Sequence, residues 1–144
     1  MIALLTFEEF SKLYTNVDLL ARGGQKDVYS ALSSEYGSIV IKLFFDLGSP
    51  RSQREVEIVK QLRLKSIPKV FETGQLLYQN TETLYMVEQK IEGQELRRII
   101  SEGHRFPLKR AVNFLEQCLL FIVQLEDNQI IHRDIKPENI IIGH

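Results

Sequence analysis

Short apolar runs separated by polar turns dominate residues 17–90 of the chain. Their length and their content of β-branched and aromatic residues are typical of β-strands. Gly23 and Gly24 separate the first two runs, which is the pattern of a hairpin. We therefore predict five strands, at residues 17–22, 27–32, 38–45, 70–78 and 84–88.

Apolar residues at helical spacing mark four other stretches. Thr6 and Glu9 have the spacing of a capping box and predict a short helix that begins after Thr6. Ser49 and Pro50 provide an N-cap and a favourable first residue for a second helix. Two more helices are predicted at residues 96–100 and 107–126. The last of them is apolar on nearly every side, and a helix of this kind is normally buried on all sides. Helices beside an antiparallel sheet place the chain in the α+β class.

Residues 131–140 form a polar stretch between two short apolar runs and carry the most informative pattern in the chain. Asp134, Lys136 and Asn139 lie within six positions, and Pro137 stiffens the turn between them. This stretch resembles the catalytic loop of protein kinases, His-Arg-Asp-x-x-x-x-Asn, and Lys136-Pro137-Glu138 resembles its serine/threonine branch. A solvated charged turn explains any two of these residues, but rarely all of them in this order.

The resemblance implies phosphoryl transfer from ATP to the serine or threonine hydroxyl of a protein, with Mg²⁺ as the metal cofactor. By that resemblance Asp134 accepts the hydroxyl proton, Lys136 neutralises the γ-phosphate, and Asn139 binds Mg²⁺. These three residues are the predicted catalytic residues, and Asn139 is also the predicted metal ligand.

Lys42 is the one charged residue inside the strongly apolar run 38–45. A buried lysine needs an anion, or it gives up its proton. An edge strand with Lys42 facing water is the alternative. The resemblance places Lys42 at the kinase lysine that holds the α- and β-phosphates, and it places Glu55 on the following helix at the position that pairs with this lysine.

The turn around Gly23 falls at the glycine-rich loop of the family. When the pattern Gly-x-Gly-x-x-Gly-x-Val is aligned on Val28, its three glycines fall on Ala21, Gly23 and Lys26, so only the central glycine is kept. A side chain in such a loop blocks close approach to phosphate, although the Lys26 ammonium could itself meet phosphate charge. The pattern fits a nucleotide loop and also an ordinary hairpin.

Residues 84–96 resemble the last strand of the kinase N-lobe, the hinge and the start of the next helix. The match puts Glu88 at the gatekeeper position, where an acidic residue is less usual than an apolar one. The backbone carbonyl of Gln89 and the N–H of Ile91 would bond to the edge of adenine. The resemblance also implies apolar walls for the ATP site, contributed by Leu20, Val28 and Val40. The alternative is that these three residues belong to the apolar core alone.

Composition agrees with a globular protein in a reducing compartment. The 144 residues are 44% apolar and 26% charged, and the net charge of -1 gives no reason to expect nucleic acid or a membrane as a partner. Cys118 is the single cysteine, so no internal disulfide can form, and we predict a cytoplasmic location. Residues 1–5 are apolar but too short for the core of a signal peptide.

The resemblance covers nearly the whole chain. It implies an N-terminal helix at about residues 1–16, an N-lobe and hinge at 17–91, and the beginning of a helical C-lobe at 92–144. No Asp-Phe-Gly motif follows Asn139. We therefore expect a kinase that is truncated or is completed by another chain, which would also cover the helix at 107–126. The alternatives are a pseudokinase-like nucleotide-binding module and a protein-interaction module, both without transferase activity.

Overall fold

The computed structural model describes residues 3–62, 64–132 and 135–143 and, for Arg51 and Gln61, the backbone alone. The chain divides into two compact units, Met1–Lys90 and Ile91–His144. The N-terminal unit contains an antiparallel sheet with a helix on each face. The C-terminal unit is mainly helical.

Five strands form one sheet in the N-terminal unit. They are β1 (Thr15–Arg22), β2 (Lys26–Ser33), β3 (Gly37–Phe44), β4 (Val70–Tyr78) and β5 (Thr81–Gln89). Their spatial order is β1-β2-β3-β5-β4, and every neighbouring pair is antiparallel. The predicted α+β class and five-stranded sheet are therefore confirmed, with small differences at the strand ends.

Strand β3 is central and is covered on both faces of the sheet. Because side chains alternate along a strand, Ile39, Ile41 and Leu43 share one face, and all three are 0% exposed. Phe44 lies on the other face and is 1% exposed. Burial on both faces explains why this strand is a nearly continuous apolar run in the sequence.

Helix α1 (Phe7–Ser11) packs on the face that carries Ile41, where its Phe10 joins the apolar cluster. The predicted capping box at its start is formed. Thr6 Oγ1 accepts a hydrogen bond from the Glu9 N–H at 3.2 Å, and a Glu9 carboxylate oxygen accepts one from the Thr6 N–H at 2.9 Å. The hydrogen bonds that the Thr6 N–H and hydroxyl donate to the Glu9 carboxylate lower the pKa of Glu9.

The same face buries a small polar cluster. The Tyr78 hydroxyl donates a hydrogen bond to the Asp27 carboxylate at 2.7 Å, and it lies 2.9 Å from the Tyr29 hydroxyl. Asp27 is 3% exposed and Tyr78 is 6% exposed. Burial, followed by the hydrogen bonds to Asp27 and Tyr29, raises the pKa of Tyr78 above its ordinary value.

Helix α2 (Pro50–Gln61) lies on the opposite face, where Val56 packs in a second apolar cluster with side chains of β3 and β5. Ser49 is the N-cap residue, as predicted, but its side chain makes no capping hydrogen bond. Pro50 at the first helical position carries no N–H, so the helix start has one donor fewer to satisfy.

The C-terminal unit contains two helices and a small two-stranded sheet. Its elements are β6 (Gln94–Glu95), α3 (Leu96–Ser101), α4 (Leu108–Asp127), a 3-10 turn (Pro137–Asn139) and β7 (Ile141–Ile142). Strands β6 and β7 pair antiparallel. Both predicted helices are thus observed. No helix in the three described ranges is long and apolar enough to cross a bilayer.

Helix α4 is apolar but largely exposed, as expected for a helix that lacks the cover it has in a complete kinase domain. Leu125 is its one buried residue. A helix of this kind needs neighbours on several sides, and the other α-helix described in this unit, α3, has 6 residues. The large apolar residues of α4 that remain exposed are Leu108, Val112, Leu115, Leu119, Leu120, Ile122 and Val123.

Candidate functional site

Lys42 is the only charged residue of β3 and lies on the face that carries α2. Its cross-strand neighbours are Val28 on β2 and Met86 on β5. The Lys42 side chain is 21% exposed, so most of it is removed from water while its charge is retained in an apolar setting. A cation in such a position needs a nearby anion.

Glu88 supplies that anion. Lys42 Nζ lies 2.7 Å from Glu88 Oε1, which is the length of a charge-assisted hydrogen bond. The Glu88 side chain is 7% exposed. Glu88 lies directly across from Val40, two residues before Lys42, so the two charged side chains leave the sheet on the same face. The charge on Lys42 is therefore balanced within the N-terminal unit.

Glu55, the predicted partner of Lys42, pairs with Lys26 instead. Glu55 Oε1 lies 3.4 Å from Lys26 Nζ, and these side chains are 41% and 35% exposed. The predicted Lys42–Glu55 pair is therefore wrong in this structure. Helical spacing fixes which side of α2 carries Glu55, but Glu55 pairs with whichever cation lies nearest to it, and this cation is Lys26. Lys42 already has a nearly buried carboxylate on the adjacent strand.

Lys26, at the third glycine position of the kinase loop, lies along the sheet toward α2. Its Nζ is 5.5 Å from the centre of the Phe44 ring, in addition to its contact with Glu55. The Gly23 N–H donates a hydrogen bond to the Lys26 carbonyl at 3.0 Å and closes the hairpin between β1 and β2. The loop is thus a closed hairpin whose lysine is already engaged by an acidic residue.

The predicted apolar walls are only partly brought together. Val28 lies across from Lys42, and Val40 lies across from Glu88, so both valines share the face of the ion pair and are half-buried there. Leu20 belongs to β1 and is 53% exposed. The described N-terminal unit therefore offers one apolar face with the Lys42–Glu88 ion pair set into it.

The two predicted hinge residues fall at the boundary between the units. Gln89 is the last residue of β5, and its N–H donates a hydrogen bond to the Lys69 carbonyl at 2.7 Å. Gln89 therefore lies next to Glu88 at one end of the sheet. Ile91 is the first residue of the C-terminal unit and is half-buried.

Two of the three predicted catalytic residues lie in the described part of the C-terminal unit. Lys136 has an extended backbone and an exposed side chain, and it immediately precedes the 3-10 turn. Asn139 ends that turn, and its N–H donates a hydrogen bond to the Lys136 carbonyl at 2.9 Å. The third, Asp134, lies outside the described residues.

The C-terminal end of this loop is fixed to the start of α3. The Leu96 N–H donates a hydrogen bond to the Ile140 carbonyl at 2.8 Å. Gly93 precedes β6 with φ of 152°, and a β-carbon there would collide with the Ile142 carbonyl. Glycine is therefore required at this position if β6 and β7 are to pair.

Asn139 is the one described residue that the prediction assigns to Mg²⁺. Its amide oxygen is a hard donor of the kind Mg²⁺ accepts, and the side chain is exposed. The described residues contain no group of three or more His, Cys, Asp or Glu side chains that could hold a metal by themselves. Asn139 thus fits the role of one ligand among several.

Residues 14–144 match the family model of the protein kinase domain. Because the match covers most of the chain, this protein belongs to the protein kinase family. It has a five-stranded antiparallel sheet with helices, and the membership of the protein kinase family that the sequence resemblance predicts is confirmed.

The similar curated proteins are serine/threonine kinases. The chain is 29% identical over 150 residues to the serine/threonine-protein kinase PrkC of Bacillus subtilis, which covers 98% of this chain and 22% of PrkC. It is 30% identical over 131 residues to the probable serine/threonine-protein kinase PknB of Corynebacterium glutamicum, covering 86% of this chain and 20% of PknB. The chain therefore spans less than a quarter of the length of either relative.

A solved structure of Rad53, residues 1–466 in complex with AMP-PNP, has a similar fold. The TM-score is 0.74, and the match covers 94% of this chain and 36% of the Rad53 chain. Sequence identity is 22%, so the likeness supports the kinase fold and no finer statement.

The sequence analysis did not predict that Glu88 pairs with Lys42 or that Lys26 pairs with Glu55. A usable signal was present, because Glu88 is the one charged residue in the apolar run 84–88, as Lys42 is in 38–45. An acid in one buried strand and a base in the neighbouring strand predict a buried ion pair, since either charge alone is costly. The register of β3 against β5 was the missing information.

Proposed function

We propose that this chain carries the nucleotide-binding sheet and the catalytic loop of an ATP-dependent serine/threonine protein kinase. The observation that carries the proposal is Lys42, a largely buried lysine on the α2 face of a kinase-type sheet, flanked by Val28. A positive charge kept on an apolar face is suited to an anionic ligand that also has an apolar part, and ATP is such a ligand.

In this proposal Lys42 binds the α- and β-phosphates of ATP. Val28, Val40 and Leu20 contact the base, and the Gln89 carbonyl and Ile91 N–H bond to its edge. The AMP-PNP in the Rad53 complex supports ATP as the nucleotide class.

The catalytic loop performs the transfer. The serine or threonine oxygen of a protein substrate attacks the γ-phosphorus, the bond from that phosphorus to the bridging oxygen breaks, and ADP leaves. Asp134 accepts the hydroxyl proton, Lys136 neutralises charge on the γ-phosphate, and Asn139 is a ligand of Mg²⁺. When bound, Mg²⁺ neutralises the phosphate charge that develops during transfer. Positioning and charge supply most of the catalysis.

Calorimetric titration of ATP with Mg²⁺ into the 144-residue chain tests the nucleotide site. We expect saturable binding that Lys42→Met removes. Lys12→Met is the control, because Lys12 follows α1, which packs on the opposite face of the sheet. Equal ATP binding by the Lys42 variant and the wild type would refute the assignment.

A pseudokinase-like module is the second candidate, and one observation favours it. Lys42, which the family uses to hold the phosphates, and Glu55, the expected partner of that lysine, are both engaged by other side chains. Transfer of labelled phosphate from ATP to a serine-containing protein by the full-length protein, abolished by Asp134→Asn, separates the two candidates. Binding without transfer would favour the pseudokinase.

Location and partners remain proposals. We propose a cytoplasmic protein that acts on serine or threonine hydroxyls of other proteins, without a nucleic-acid or membrane partner. A second chain on the exposed apolar side of α4 is also proposed, because large exposed apolar patches on proteins mark interfaces. Light scattering of the chain across concentrations tests this, and a monomer that binds no hydrophobic dye would contradict it.

A further inference from the structure

Four charged side chains of the N-terminal unit form two ion pairs. Lys42 and Glu88 are joined at 2.7 Å and are largely buried, while Lys26 and Glu55 are joined at 3.4 Å and are more exposed. Two positive and two negative charges cancel, so the set is neutral without a ligand. The kinase pattern pairs Lys42 with Glu55, but in this structure Lys42 pairs with Glu88 and Glu55 pairs with Lys26.

The Lys42–Glu88 pair is the stronger of the two. It is shorter, and its two side chains are 21% and 7% exposed, so water screens it less than it screens the Lys26–Glu55 pair. Glu88 comes from β5, which is hydrogen-bonded on both sides, to β3 and to β4. Its backbone is therefore held in place, and the carboxylate stays within reach of the lysine.

A triphosphate can bind Lys42 only if the ion pair between Lys42 and Glu88 breaks. The lysine would have to exchange a carboxylate for phosphate oxygens, and Glu88 would then remain as a nearly buried negative charge near an anionic ligand. Both effects weaken nucleotide binding. Glu55 does not offset them while Lys26 holds it.

We propose that Glu88 is a positioning residue that sets the nucleotide affinity of this site by competing with the phosphates of ATP for Lys42. The inference rests on the proposed function, since it concerns the same lysine. In this proposal the residue at the gatekeeper position acts electrostatically through Lys42 and does not form an apolar wall of the pocket.

Replacing Glu88 by glutamine removes the competing charge and keeps the side-chain shape. We expect Glu88→Gln to bind ATP with Mg²⁺ about tenfold more tightly than the wild type, the factor that corresponds to one charged hydrogen bond. Glu88→Met should shift affinity in the same direction and serves if the glutamine variant does not fold. Glu82→Gln is the matched control, because Glu82 is an exposed acid on the same strand.

Adenosine separates an electrostatic effect from a change in pocket shape. It carries no phosphate and therefore has no use for the ammonium of Lys42. We expect Glu88→Gln to leave its affinity within about twofold of the wild type, a change below the size of one hydrogen bond. In the Lys42→Met background, Glu88→Gln should give no gain for ATP. A gain for adenosine equal to that for ATP, or a gain that persists without Lys42, overturns the inference.

A measurement without nucleotide completes the test. Acylation of lysines by acetic anhydride, followed by mass spectrometry, reports how tightly each amine is held, with Lys12 as the internal reference. Glu88→Gln should accelerate labelling of Lys42 relative to Lys12. Unchanged labelling, or wild-type ATP binding that Glu88→Gln does not strengthen, refutes the inference and leaves the proposed function intact. Failure of every form of the protein to bind ATP refutes both.

Discussion

Replacing Lys42 with methionine should destabilise the N-terminal unit, because the Glu88 carboxyl group would be left nearly buried without its cation. Removing one partner of a fully buried ion pair costs about 3–5 kcal/mol. The Lys42 side chain keeps 21% of its exposure, so water reaches the pair and reduces the loss. We therefore expect the free energy of unfolding to fall by about 2 kcal/mol.

Tyrosine fluorescence isolates this unit during urea unfolding. The chain has no tryptophan, and all five tyrosines lie in residues 1–90. With an m-value of about 1 kcal/mol per molar urea, the expected loss lowers the unfolding midpoint by about 2 M. Lys12→Met is the control and should change stability by less than about 0.5 kcal/mol, as exposed substitutions usually do.

The double variant Lys42→Met/Glu88→Met decides whether an uncompensated charge is the cause. Replacing both members of a buried pair with apolar residues is often neutral or stabilising. Its midpoint should therefore return close to that of the wild type. If Lys42→Met unfolds at the wild-type midpoint, the ion pair contributes nothing and the reasoning from its burial is refuted.

Three further predictions concern elements that support the site. Thr6→Ala should lower stability by about 1 kcal/mol through loss of the capping box, measured as a lower urea midpoint; an unchanged midpoint would show that the cap is dispensable. The raised pKa of Tyr78 means that the folded protein holds the phenol proton more tightly than the unfolded chain does. The protonated phenol of Tyr78 therefore contributes fully to stability below pH 10, and this contribution is lost as the pH rises above 10. Tyr78→Phe should therefore make stability less sensitive to alkaline pH. It should also lower the free energy of unfolding by about 2 kcal/mol at neutral pH, because buried Asp27 loses the hydrogen bond from Tyr78. Urea unfolding midpoints measured across pH report both effects. Gly93→Ala should speed hydrogen exchange of the Leu96 amide, because strain of about 1–3 kcal/mol loosens the β6–β7 pairing; unchanged exchange would contradict it.

The sheet could be predicted from sequence because each strand obeys a local rule. The run around Ile41 is apolar throughout and is buried on both faces, and Gly23 marks the hairpin turn that the structure contains. The capping box at Thr6 was readable for the same reason, since both of its hydrogen bonds join residues three positions apart.

Partners that are distant in sequence could not be predicted in the same way. Glu55 lies on α2 as expected, yet its cation is Lys26, because helical phase gives a direction and not a neighbour. Glu88 becomes the partner of Lys42 through strand register, which no short-range pattern fixes. The exposure of α4 depends on which elements surround it, so the family resemblance predicts it and apolar content alone does not.

A crystal structure of the chain with AMP-PNP and Mg²⁺ tests the central claim most directly. The account predicts that the ammonium of Lys42 leaves Glu88 and lies within hydrogen-bonding distance of α- or β-phosphate oxygens, with the base against Val28. A nucleotide bound away from β3, or phosphates that do not contact Lys42, would contradict it.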